Sequence, residues 1–201
     1  IRELYRELLS KNDPIHTATY ISELARREYR QHTAHHFPES RIMEFQEKKR
    51  NIARENSEIL FKARCEGRTG YPMVDAGMRQ LVTEKRMHNR VRMVTASFLC
   101  KHLLIDWRKG EHYFAEKLLD FELSANNGNW QWAAGTGCDA APYFRVFNPT
   151  MQQEKFDPEF RYCKQWISEL GTGSYPAPIV EHTFARERAL QTYKAALQSH
   201  T

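Results

Sequence analysis

Several absences narrow the possibilities before any motif is considered. The four cysteines, Cys65, Cys100, Cys138 and Cys163, are scattered and form no CxxC pair. That spacing argues against a zinc site or a disulfide framework, so no metal is expected, and it points to reduced thiols in a cytoplasmic setting. No apolar run approaches the roughly 20 residues of a membrane span, and no charged-then-apolar signal segment opens the sequence. Alternating strand patterns are almost absent, as are repeats, flexible linkers and low-complexity tracts. Acidic residues are in modest deficit, 25 Asp and Glu against 30 Lys and Arg, for a net charge of +5. Such a surplus is compatible with a polyanionic partner without establishing one.

What remains is helical. The 201 residues are 41% hydrophobic, enough to bury a substantial core. Helices are expected at 1–10 and 16–36, then after Asn56 as a cap up to Gly67, and at 73–84 after the Gly70-Tyr71-Pro72 break. Residues 87–106 form the most apolar pattern and should be one buried helix. Asp157 before Pro158 reads as a start for a helix reaching Leu170, with Gly171 as its stop. A last amphipathic helix should run from about His182 to Leu197. The expectation is a single all-α domain over 1–201.

Three arginine-rich faces could carry chemistry. Glu23, Arg26, Arg27 and Arg30 share one side of the second helix by spacing. Arg86, Asn89, Arg90 and Met93 do the same at the start of the apolar helix, and Arg145 and Asn148 form the third. Guanidinium forks match phosphate oxygens, and solvated helix surface with internal ion pairs is the other reading of the same spacing. Arg92 falls within an apolar pattern and needs an anionic partner, for which Asp120 and Glu122 are candidates, as a core ion pair or beside a polar heterocycle.

The segment "DFELSANNGNWQWAAGTGCDAAPYF" (120–144) sets Trp130 and Trp132 directly after Asn126-Asn127-Gly128-Asn129. With Trp107 these are three of the four tryptophans. Indole serves as core filler, as a stacking platform for bases, or as a one-electron donor, and spacing alone does not choose among these.

Longer stretches do choose. "GRTGYPMVDAGMRQL" (67–81), "MHNRVRMVTASFLCKHLLIDWRKGEHYF" (87–114) and "DFELSANNGNWQWAAGTGCDAAPYFRVFNPTMQQEKFD" (120–157) closely resemble the flavin-binding helical domain of the photolyase/cryptochrome family. "SELARREYRQH" (22–32) and "YPAPIVEH" (175–182) fit the same pattern. The resemblance implies an all-helical domain holding FAD in a central pocket. In repair members the light-excited flavin passes an electron to a pyrimidine dimer extruded from DNA. A basic rim would then grip DNA phosphates.

By position, Tyr20, Arg27, Asn89, Arg92, Asp120, Glu122 and Asn126 resemble the family's FAD-binding residues, with Arg27 at a phosphate and Asn126 at the flavin N5. Trp130 and Trp107 resemble the first and second electron donors to the flavin. Glu23, Arg26, Arg30 and Arg86 resemble DNA or substrate contacts, as do Asn89, Arg90, Met93, Trp132, Arg145 and Gln152.

The sequence departs from the family pattern at several points. Arg26 and Arg86 stand where the family has tryptophan, Glu122 stands where it has aspartate, and Arg54 falls at the outer end of the tryptophan relay. "IRELYRELLSKNDP" has no equivalent of the Thr/Ser-Leu-Ser loop that cradles the diphosphate, and the amino-terminal antenna domain is missing. A domain truncated at its front, with weakened FAD retention and slow relay, is therefore the expectation. The alternative is a nucleic-acid-binding or blue-light signalling module that keeps the fold without the catalysis. A fragment whose role is helical packing against a missing domain is a third.

Overall fold

The structure is a computed structural model that describes residues 2–10 and 14–198, among which no strand occurs. Its α-helices are α1 (Arg2–Leu9), α2 (Pro14–His36), α3 (Glu58–Cys65), α4 (Pro72–Glu84) and α5 (Asn89–Ser97), followed by α6 (Trp107–Lys117), α7 (Leu123–Ala134), α8 (Pro149–Phe156), α9 (Arg161–Trp166) and α10 (His182–Gln198). The all-α expectation holds. Among the described residues no helix is long and apolar enough to cross a membrane.

Helix α4 is the centre of the core. Pro72 begins it, as proline's fixed φ and missing N–H allow at a first helical position. Met73, Val74, Ala76, Met78 and Leu81 are all buried, against α3, α5, α8 and α9. Asp75 is buried with them. Its carboxylate accepts from Thr69 N at 2.8 Å, Thr69 Oγ1 at 2.7 Å, Gly70 N at 3.0 Å and the Tyr175 hydroxyl at 2.6 Å. Burial pushes this carboxyl above its ordinary range, and the four donors pull against that. The loop before α4 is thereby tied to the 175–180 segment.

Three sequence expectations are corrected by tertiary structure. The apolar pattern at 87–106 is not one helix. His88 caps α5, its Nδ1 accepting from Arg90 N at 3.1 Å. The chain then widens into a π-helical turn, Phe98–His102, and reverses at Leu104, whose φ is 47°. Asp106 starts α6 by accepting from Arg108 N at 2.9 Å. The 3.6-residue periodicity registered the burial and missed the break, because residues 94–105 are interior throughout whichever way the backbone turns.

At α3 the cap is Ser57, whose Oγ accepts from Leu60 N at 3.4 Å, while Asn56 Oδ1 accepts from Asp106 N at 2.8 Å. Asp157 closes α8 instead of opening a long helix, and its carboxylate accepts from Tyr162 N at 3.1 Å and Cys163 N at 2.9 Å. Phe160 turns the chain with φ 56° just before the short α9. The opener of α8 is Asn148, whose Oδ1 accepts from Thr150 N at 3.0 Å ahead of Pro149.

Helix α10 packs on the π-helical turn. Its Tyr193 hydroxyl donates to Ala134 O at 2.6 Å, and Lys101 Nζ lies 3.4 Å from the Tyr193 ring centroid. Burial pushes the Lys101 ammonium down to about 7.

Two outcomes follow from these buried groups. Asp75→Ala strands several buried donors at about 1–3 kcal/mol each, so a loss of at least about 3 kcal/mol is expected as a lowered urea midpoint with unchanged slope. For Lys101, the folded-state pKa is depressed from 10.5 to about 7. Between those values the unfolded chain binds a proton that the folded chain does not, so stability rises with pH across the window. Chemical denaturation at pH 7, 8 and 9 should show that rise, and Lys101→Met should flatten it.

Candidate functional site

Three helical stripes and one loop enclose a cavity of about 850 Å³. Helix α2 contributes Glu23, Arg26, Arg27 and Arg30; α5 contributes Asn89, Arg92, Met93 and Ala96; α7 contributes Ala125, Asn126, Asn129, Trp130 and Ala133. Each set repeats every three or four residues, the spacing of a single helix face. Leu118, Asp120, Phe121 and Glu122 close the cavity between α6 and α7, with Phe114 from α6 and Trp132 from α7. Asn89, Arg92 and Met93 thus converge with the 120–132 stretch on one space.

Helix α7 is held at both ends. Glu122 caps its start, accepting from Ser124 N at 3.1 Å and Ala125 N at 2.8 Å. At its finish Lys49 Nζ donates to Gly135 O at 2.5 Å. An acidic group at the N-terminus and a cation at the C-terminus both complement the helix dipole. Midway, Gln131 Nε2 donates to Ser40 O at 2.6 Å, and Gln131 Oε1 accepts from Phe45 N at 2.9 Å.

That anchoring fixes Trp130, which is 2% exposed. Its ring stands edge-on to Phe114, with centroids 4.9 Å apart, and lies on the backbone of α6 at Gly110. A Cβ at Gly110 would come within 2.2 Å of the indole. Only glycine permits this approach.

The polar groups fall into pairs. Arg92 grips Asp120 through Nη2 at 3.0 and 2.8 Å, and its Nε donates to Met87 O at 2.7 Å. The side chains of the pair are 28% and 60% exposed, so this is a wall of the cavity and not the buried core pair that the apolar pattern suggested. Glu122, the other candidate partner, serves α7 instead. Asn126 Nδ2 donates to Glu111 Oε1 at 2.8 Å. Arg26 pairs with Glu23 at 2.5 Å on the exposed side of α2, and Arg27 with Glu28 at 3.3 Å. Arg30 is fully engaged, donating to Gly128 O at 2.9 Å and to both Asp139 oxygens at 2.8 and 3.1 Å.

Arg27, Asn89, Arg92, Asp120, Glu122 and Asn126 thus share one cavity with Trp130, and so do Glu23, Arg26, Arg30, Met93 and Trp132. Tyr20 does not line it and is 48% exposed. Arg86, Arg90, Arg145 and Gln152 also lie outside the lining. Arg90 covers the Phe156 ring at 4.5 Å, and Gln152 Oε1 is buried without a partner. No residue of α1 is among the cavity's lining residues.

Two buried groups next to the tryptophans escaped sequence reading. Arg64 is fully buried, with its guanidinium 5.3 Å from the Phe114 centroid and 5.6 Å from that of Trp130. Glu44 is buried against Trp107, whose Nε1–H donates to Glu44 Oε1 at 3.2 Å. Arg54 joins this cluster by pairing with Glu44 and, at 3.4 Å, with Asp106. No local signal marks either group. Their partners lie on other elements, and a lone Arg or Glu in a charged stretch reads as surface.

The comparisons with known proteins fit this geometry. Residues 20–173 match the family model described as the FAD binding domain of DNA photolyase. The chain belongs to that family. It is 56% identical over 150 residues to the deoxyribodipyrimidine photo-lyase of Escherichia coli K12, covering 65% of this chain and 32% of that protein. A class III photolyase from Agrobacterium tumefaciens superimposes with a TM-score of 0.87 at 43% identity, over 90% of this chain and 43% of that one. The photolyase of Sulfolobus tokodaii, solved with two FAD molecules, gives 0.88 at 40% identity, over 96% and 47%. The photolyase-type domain therefore spans between about a third and a half of the length of these relatives.

Gly110→Ala tests the contact on which this pocket is built. The added methyl must displace the Trp130 indole, so near-ultraviolet circular dichroism should lose tryptophan signal. Stability should fall by the roughly 1–3 kcal/mol typical of overpacking.

Proposed function

We propose that this domain holds FAD in the 850 Å³ cavity and supports light-driven electron transfer to a pyrimidine lesion in DNA. The observation that carries the reading is the convergence of Arg27, Arg92, Asp120 and Asn126 on a space floored by the buried Trp130. The residues fit the group. The volume lies within the 300–1,000 Å³ or so of small-molecule sites, the aromatic floor suits a flat ring system, and the arginines along α2 suit phosphates. FAD is the cofactor of the family, and when bound it supplies a light-excited one-electron donor.

The remaining roles belong to the chain's own side chains. Arg27 supplies fixed positive charge toward the diphosphate. The Arg92–Asp120 pair neutralises itself and shapes the wall beside the isoalloxazine. Asn126, its amide held by Glu111, presents a neutral polar group to the ring edge. Trp130 would be the residue that supplies an electron to the bound group, and Trp107 the residue that would refill Trp130. Trp132, Met93 and Glu23 face the substrate side, while Arg26, Arg86, Arg90, Arg145 and Gln152 contact DNA. A separate amino-terminal antenna domain, as part of a longer protein or as a partner, completes the picture.

A second reading, a nucleic-acid-binding or signalling module, is favoured by Arg26. It stands exposed at the cavity rim and raises positive charge at the expense of an apolar platform for a stacked dimer.

The two readings separate by measurement. Purified protein incubated with FAD should show flavin absorption, and blue light with a reductant should remove dimers from ultraviolet-treated oligonucleotides. Salt-dependent DNA binding without dimer loss supports the second reading, and a chain that stays colourless overturns the first. Arg92→Ala and Asp120→Ala should each weaken FAD retention by about tenfold, or 1.4 kcal/mol, measured by equilibrium dialysis.

A further inference from the structure

Trp107 carries more than packing requires. Its indole is 1% exposed, and its Nε1–H points at the carboxylate of Glu44, which is 2% exposed. Glu44 also accepts from Arg54 and, at 2.7 Å, from Arg108 Nη2. Asp106 accepts from the same two arginines, at 3.4 Å from Arg54 and 2.8 Å from Arg108. Two carboxylates thus balance two guanidiniums, and of the four Glu44 is the one that accepts from the indole N–H. Arg108 lies 5.0 Å from the ring centroid, its charge already matched. Burial raises the Glu44 carboxyl, but Arg54 and Arg108 outweigh burial and hold it below its ordinary value, so the carboxylate at the indole is ionised. Its hydrogen bond to the N–H at 3.2 Å, not an enhanced basicity, is what suits it to take the proton.

We infer that Glu44 is the proton acceptor of oxidised Trp107, and that this transfer makes Trp107 the end of the relay. The inference rests on the reading above, in which a light-excited isoalloxazine takes an electron from Trp130. One electron leaves the Trp107 ring and fills the electron-deficient Trp130 ring. Loss of that electron turns a scarcely acidic indole N–H into an acid of carboxylic strength. The Nε1–H bond breaks, its electron pair stays on nitrogen, and the proton forms an O–H bond with Glu44 Oε1. The products are a neutral Trp107 radical, protonated Glu44 and restored Trp130.

The positive charge that would have sat on a buried ring passes to the Arg54–Arg108 pair, whose side chains are 14% and 34% exposed. Water screens it there better than inside. Recombination then requires the proton to return along with the electron, which slows it. Arg54 has no oxidisable ring to extend the relay, and its contribution is to fix Glu44.

The deciding experiment needs no flavin. Ultraviolet flash photolysis ejects electrons from indole directly, and transient absorption separates neutral from cationic tryptophan radicals. The wild-type chain should show a prompt neutral-radical fraction, slowed in D2O and missing from Trp107→Phe. In Glu44→Gln, which keeps a hydrogen-bond acceptor without basicity, that fraction should persist as the cation about ten times longer, equivalent to 1.36 kcal/mol of barrier. Glu44→Asp keeps the charge balance while withdrawing the carboxylate from the indole, and should behave likewise, which guards against a folding defect in the amide variant. An unchanged prompt neutral fraction in both variants overturns the inference. In flavin-loaded protein, charge separation should last about tenfold longer in wild type than in Glu44→Gln. Failure to take up flavin sinks the functional reading and Trp107's place in a relay, while the flash result still decides whether Glu44 takes the proton.

Discussion

The fold around the cavity depends on one close approach, the indole of Trp130 lying on the bare backbone of Gly110. It sets the spacing of α6 and α7, and with it the depth of the cavity floor. Helix α7 is held in place by groups remote in sequence: Glu122 at its start, Lys49 at its end, and Gln131 reaching back to the 40–45 segment. Lys49 and Gln131 stand outside the space they help define, and Glu122 also forms part of its lining. They keep an aromatic ring and an amide row pointing the same way.

Charge in the site is arranged by pairing. Arg92 is matched by Asp120, Arg30 by Asp139, and Arg54 and Arg108 by Glu44 and Asp106. A pocket meant for an anionic, polarisable guest gains from this, because self-neutralised walls hold their shape without a ligand, while Arg26 and Arg27 at the rim form only exposed pairs with Glu23 and Glu28. The +5 surplus of the whole chain is therefore a poor guide to the site. Where each arginine is spent matters more than how many there are.

Much of this was legible in the letters, and the failures have physical causes. Some start signals were readable, as with the break ending at Pro72, which opens α4, or His182 at α10, whereas the contiguous caps Ser57, His88, Asp106 and Asn148 were not read as helix starts. Asp157-Pro158 misled because its carboxylate serves a helix beginning four residues later, across a left-handed turn at Phe160. The apolar run at 87–106 concealed a π-helical turn, since periodicity reports burial and not the path of the backbone. Arg27, Asn89, Arg92, Asp120, Glu122 and Asn126 were named by likeness of long motifs and line one cavity, whereas Tyr20, named in the same way, does not. Glu44 escaped because its meaning comes from an indole 63 residues away.

Arg64 has a consequence for direction. Its guanidinium sits fully buried over Trp130, its Nη2 donating to the Thr95 carbonyl at 3.4 Å, and no carboxylate among the described residues pairs with it. Trp107, by contrast, is surrounded by charges that cancel. A vacancy left on the inner ring is repelled by an uncompensated cation, and one on the outer ring is not. For the relay proposed above, the protein interior thus slopes outward for a migrating hole, by fixed electrostatics alone, before any proton moves.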